Sequence, residues 1–94
     1  MITEMLKTGA KNAQTAREIC TILNLSYADF RRRIAEERKT GSPICASAKN
    51  PAGYYLASNQ EEMRQYCGKL RHRAGEIFKT RKMCLDMIDA LPAE

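Results

Sequence analysis

Apolar residues recur along the chain with two different periods, and capping or turn residues mark where one period gives way to the next. Ile2, Met5 and Leu6 share one side of a short helix predicted over residues 2–7, with Gly9 ending it. Thr15-Ala16-Arg17-Glu18 is a capping box, a Thr followed three residues later by Glu. Ile19, Cys20, Ile22 and Leu23 then give a one-sided helix of two turns. Asn24 closes it, since Asn tolerates the left-handed conformation that ends helices. Ser26 opens a second helix with Asp29 in its first turn. Phe30 and Ile34, four apart, supply its buried stripe, and the pattern runs to Thr40 with Gly41 as a stop. Two capped helices separated by about three residues make a helix-turn-helix that presents its second helix outward.

Beyond Gly41 the period becomes two. Residues 43–47 read as a short strand, 49–53 as a turn by composition, and Tyr54-Tyr55-Leu56 as a second strand. Together they form a hairpin in which Ile44 shares a face with Ala46, and Tyr54 with Leu56. Ser58 and Asn59 start the last element, with Glu61 and Glu62 in its first turn. A helical pattern then runs without proline over residues 60–91, about 48 Å of helix. Met63, Cys67, Leu70, Ala74, Ile77, Cys84, Ile88 and Leu91 recur at steps of four and three, and Arg81 fills the one missing place. This is a heptad seam. The fold class expected is mainly α with a small β-hairpin, followed by a long C-terminal helix. Residues 1–59 form the core unit. Residues 60–94 complete that core with their first half and dimerise through the second, by Ile77, Arg81, Cys84, Ile88 and Leu91.

Length fits this plan, since 94 residues make one small domain with little chain to spare for a catalytic cleft. Charge adds a direction. Sixteen Lys and Arg against eleven Asp and Glu give a net +5, which suggests a polyanionic partner, nucleic acid first, although such a charge also serves solubility. An acidic DNA mimic is excluded. An apolar share of 44% excludes a wholly disordered chain, and no run approaches the ~18 apolar residues of a membrane span. Residues 1–11 carry no signal-peptide stretch, so the expected compartment is the cytoplasm.

The chemistry of catalysis and metal binding has no pattern here. Cys20, Cys45, Cys67 and Cys84 lie far apart, with none of the close pairs that zinc and redox motifs use, and His72 is the single histidine. Structural thiols are expected rather than disulfides or a metal site. His72, between Arg71 and Arg73, reads as a surface residue. A Gly-rich phosphate loop, paired metal carboxylates and a Ser-His-Asp set are all missing. Neither an enzyme nor a cofactor is expected.

The order of elements is that of a winged helix-turn-helix domain, and the stretch from Asn12 to Leu56 resembles the biotin-repressor-like branch of that family. The resemblance rests on Thr15-Ala16-Arg17-Glu18-Ile19, on Asn24-Leu25-Ser26, and on Ile34 followed by Arg38 and Gly41. It continues in Pro43-Ile44 and in Gly53-Tyr54-Tyr55-Leu56. The combination also resembles small phage and prophage proteins. Two positions depart from the family's pattern. Glu37 stands where it usually has an apolar residue, and Tyr27-Ala28 where it often has Arg or Lys.

The resemblance implies a double-stranded DNA-binding protein, such as a phage-type transcriptional regulator or replication accessory factor. The second helix would enter the major groove with Arg31 and Arg32 as base readers, Tyr27 beside them and Lys39 further along. Arg33, nearer the buried side, would cover it with its stem. Phosphates would be met by the capped helix starts at Thr15 and Ser26, by Lys11 and Arg17, and by Lys49 and Asn50 at the wing tip. Tyr54 and Tyr55 could stack a nucleobase or pack against the helices. The alternative function is a phage-encoded protein-interaction module that inhibits or recruits a host protein, for example a nucleic-acid-loaded nuclease of host defence.

Overall fold

A computed structural model describes residues 1–93; Glu94, the last residue of the expected 60–94 unit, lies outside the described residues. The protein is mainly helical, with one two-stranded antiparallel hairpin and a long C-terminal helix. The elements are α1 (Ala16–Leu23), α2 (Tyr27–Lys39), β1 (Ile44–Ser47), β2 (Gly53–Leu56) and α3 (Gln60–Met87), with single 3₁₀ turns at Ala10–Asn12 and Ile88–Ala90.

The capping signals act as the sequence indicates. The Thr15 hydroxyl accepts from Glu18 N at 3.1 Å and donates to Glu18 Oε1 at 3.0 Å. Asn24 takes the left-handed conformation, φ 53° and ψ 51°, and its N–H returns to the Cys20 carbonyl. Ser26 Oγ accepts from Asp29 N at 3.1 Å and starts α2, with three residues between it and α1. Asn59 Oδ1 accepts from Glu62 N at 2.9 Å and starts α3.

The helix expected over residues 2–7 is instead one hydrogen-bonded turn, with Met5 and Leu6 N–H both donating to the Ile2 carbonyl. Tertiary bonds hold both ends of this segment. Ile2 and Thr3 N–H donate to the Glu37 carboxylate, and the Lys7 carbonyl accepts from Leu56 N. Gly9, expected as a helix stop, donates to the Leu56 carbonyl at 2.8 Å. Gln14 exchanges two backbone hydrogen bonds with Tyr54, at 2.9 and 2.7 Å. The outer edge of β2 is therefore covered by the chain before α1. Gly53 makes this approach possible. Its φ is +133°, and a Cβ there would overlap the Gln14 carbonyl.

Ile44 pairs with Leu56, and Ala46 with Tyr54. That face looks onto a cluster of Ile2, Leu6, Ile19, Phe30, Ile34 and Ile44, with Leu25, Tyr54 and Leu56 packed against it. The opposite face holds Cys45 and Tyr55, which are also buried, and Met63 Sδ lies 4.0 Å from Cys45 Sγ.

α3 supplies no residue to this cluster; its first half instead meets the other face of the hairpin through Met63 and α2 through the Tyr66–Arg38 hydrogen bond. Ile2 and Leu6 from the N-terminal turn are buried members of the cluster. Only Glu62, Met63, Tyr66 and Gly75 of α3 are half-buried, and the rest of the helix is exposed. It also stops earlier than its apolar pattern. Ile88 lies in the 3₁₀ turn, and Leu91 follows in extended backbone. A 94-residue globule has a radius of gyration of about 12 Å. The value here is 17.0 Å with a longest extent of 51 Å, because α3 projects from the body.

Candidate nucleic-acid interface

α2 buries Phe30, Ile34 and Glu37 and exposes its other side chains to differing degrees. Glu37 accounts for one departure from the family pattern. Its carboxylate accepts from Ile2 N at 2.9 Å, Thr3 N at 2.7 Å and the Thr3 hydroxyl at 2.5 Å. Burial opposes its ionisation. The Thr3 hydroxyl, the Thr3 and Ile2 N–H groups and the terminal ammonium outweigh that and hold the carboxyl below the ordinary glutamate range. A charged residue sits at a core position because it fastens the N-terminal turn over the cluster.

Arg31, Arg32, Arg33 and Lys39 are all exposed. The adjacent arginines face differently. The Arg32 guanidinium is on the outermost side and meets Asp29 at 2.8 Å in a pair largely open to solvent. Such a pair is worth under about 1 kcal/mol, so Arg32 is available to a stronger anion. Arg31 leans over the Tyr27 ring at 5.9 Å and also borders a cleft between α2, the hairpin and α3. Tyr27 is exposed and, with Arg17, edges a shallow depression at the α1–α2 turn. Ser26 and Thr15 are occupied as caps. Lys11, Lys49 and Asn50 are exposed on their own segments, the last two in the hairpin turn, where Lys49 N donates to Ser47 Oγ.

The hairpin tyrosines are packing residues. Tyr54 meets Phe30 edge-on at 5.0 Å, Tyr55 is buried, and burial pushes both phenols up. Arg38 is a strut between three elements. Its Nε donates to the Ile44 carbonyl at 3.0 Å, its Nη2 to the Tyr66 hydroxyl at 2.8 Å, and its guanidinium lies 5.3 Å from the Tyr66 ring centre. Glu62, read from sequence as a helix-start charge, has a second task. It accepts from Ser58 N, the Ser58 hydroxyl and Ala10 N, which fixes the root of α3 to the segment before α1. These donors hold its carboxyl below the ordinary range.

Three residues of α3 that the sequence pattern did not single out gather beside the hairpin, where Tyr66 and Arg73 share a cleft with Arg31 and Lys69 borders the adjoining depression. Tyr66, Lys69 and Arg73 lie on one face of α3, at spacings of three and four, and all three border the space beside the hairpin. The signal was there in the spacing, but it sits beside the apolar seam that drew the reading. The residues expected to dimerise are all solvent-facing: Ile77 is 61% exposed, Ile88 59% and Leu91 66%, with Arg81 and Cys84 exposed as well. On α3 itself, Leu70, Ile77, Phe78, Cys84 and Leu85 recur at helical spacing and leave an uncovered apolar stripe. All four thiols are free; Cys45 is buried, with burial raising its pKa, whereas Cys67 and Cys84 are exposed on α3.

Among the described residues, no group of three or more His, Cys, Asp or Glu is placed to hold a metal ion. No described helix is long and apolar enough to cross a membrane. The chain matches no family model, no curated protein and no solved structure.

Proposed function

We propose that the chain is a double-stranded DNA-binding protein of the winged helix-turn-helix type, acting as a transcriptional regulator or replication accessory factor of the phage kind. The observation that carries this reading is the capped pair α1–α2. Both caps are formed, the turn is closed by Asn24, and α2 buries Phe30 and Ile34 while Arg31, Arg32 and Lys39 are left on its open side. In this reading α2 lies in the major groove, where Arg is suited to grip guanine O6 and N7. The hairpin tip, with Lys49 and Asn50, meets the backbone alongside. The net charge of +5 supports attraction to a polyanion.

The uncovered stripe of α3 is assigned to a second copy of the chain. Its four-and-three spacing is what two helices need to interlock, and a two-fold dimer presents two copies of α2 to one duplex. Light scattering is expected to give about twice the 10.7 kDa chain mass. A single-chain mass would remove the dimer from the account.

The direct test is fluorescence anisotropy on labelled duplexes at physiological salt. Arg31→Ala/Arg32→Ala is expected to weaken binding at least about tenfold, since each bidentate guanine contact is worth ~1–3 kcal/mol. Binding that is unchanged in this variant would turn the search towards a protein partner.

A further inference from the structure

We propose that the cleft between α2, the hairpin and the root of α3 is an anion site that takes a backbone phosphate of the nucleic acid held by α2. The proposal rests on the DNA-binding reading and makes α3 a further contact element. Arg31 and Arg38 from α2 and Arg73 from α3 border a cleft of about 280 Å³. A second depression shares Tyr54, Tyr66 and Arg73 with it and adds Lys69. Three cations border the cleft and a fourth the depression beside it, with Arg73 common to both, and no carboxylate borders either space. Among the described residues the ion pairs are Arg32 with Asp29 and Lys79 with Glu76, so none of the four has a counter-charge. Arg31, Lys69 and Arg73 also make no hydrogen bond there, whereas Arg38 spends only two of its five donors on Ile44 and Tyr66. Like charges gathered without a partner in a concave site concentrate field on whatever anion enters it.

The aromatic rings decide between a phosphate and a base. Tyr54 is committed edge-on to Phe30, and Tyr66 is engaged by the Arg38 guanidinium, 2.8 Å from its hydroxyl and 5.3 Å from its ring centre. The cleft offers charge and donors, and its rings are already engaged. Guanidinium groups match phosphate oxygens in geometry as well as charge. The backbone of a duplex is the source favoured, because Arg31 belongs both to the cleft and to the exposed flank of α2. A strand passing along that flank comes to the cleft mouth.

Lys69→Ala/Arg73→Ala is the test variant. Both side chains are exposed and unbonded, so its melting curve should match the wild type. Duplex affinity is measured against salt concentration for both proteins. The slope of log K against log salt is expected to flatten by about 1 to 2 in the variant, with preferred and scrambled duplexes weakened alike. A steep wild-type slope that the variant reproduces would overturn the proposal. If the wild type binds no duplex, the DNA-binding reading itself fails, and inorganic phosphate titrated against backbone amide shifts then examines the cleft alone. Shifts at Tyr66 and Arg73 that the variant loses would overturn the nucleic-acid source while leaving an anion site. Absence of any shift would overturn the site.

Discussion

Glu37 accepts three hydrogen bonds from the N-terminal turn while 7% exposed, so deleting it strands the buried Ile2 N–H. A stranded buried donor costs ~1–3 kcal/mol, and Glu37→Ala is expected to lose about 2 kcal/mol in urea unfolding. The pH dependence has a definite sign. A carboxyl whose folded pKa is lowered stabilises the fold fully above its ordinary value of about 4.5, and that contribution drains away as pH falls through the lower folded value. Glu62 adds to the same trend. Melting temperature is expected to drop on acidification below pH 4.5, and to drop less steeply in Glu37→Gln. An identical acid limb in that variant would contradict the role given to Glu37. Gly53 is a residue of another kind, needed for its missing side chain. Gly53→Ala forces a Cβ into the Gln14 carbonyl at φ +133° and is expected to cost upwards of about 2 kcal/mol. Loss of hydrogen-exchange protection at the Gln14 and Tyr54 amides would locate the damage.

Helices α1 and α2 and the hairpin were legible because their signals are local. Thr15 and Glu18, Ser26 and Asp29, and the left-handed Asn24 are each decided within four residues. The segment over residues 2–7 misled for the opposite reason. Ile2, Met5 and Leu6 have helical spacing, but Leu56, far along the chain, pairs with the Lys7 carbonyl and the Gly9 N–H and draws the segment off the helical path. In α3 the periodicity identified which side is apolar and left open what covers it. Its first half touches the body through Glu62, Met63 and Tyr66 and is otherwise exposed. The cleft was illegible because three elements assemble it, and Lys69 and Arg73 gain meaning only beside Arg31 and Arg38. The exposed stripe also separates association from folding. Ile77→Asp alters a side chain that is 61% exposed, so it should leave the chain folded and shift its mass in light scattering to that of one chain. A mass unchanged from that of a wild-type dimer would remove Ile77 from the interface.

At the scale of the whole molecule, a small body built on a six-residue cluster carries a helix about 42 Å long that projects into solvent. One end holds the exposed cations of α2, the hairpin tip and the basic cleft; the projecting length holds the apolar stripe. The division suits a dimer that joins along α3 and reads two half-sites separated by about one turn of duplex, ~34 Å. Both parts of this division serve an α2 that reads base edges. The measurement that tests this most directly is selection from a random duplex library at physiological salt, read by sequencing, with Arg31→Ala/Arg32→Ala in parallel. The account predicts an enriched motif, two-fold symmetric, that disappears in the variant. No enrichment, or a motif that survives the double substitution, would contradict it.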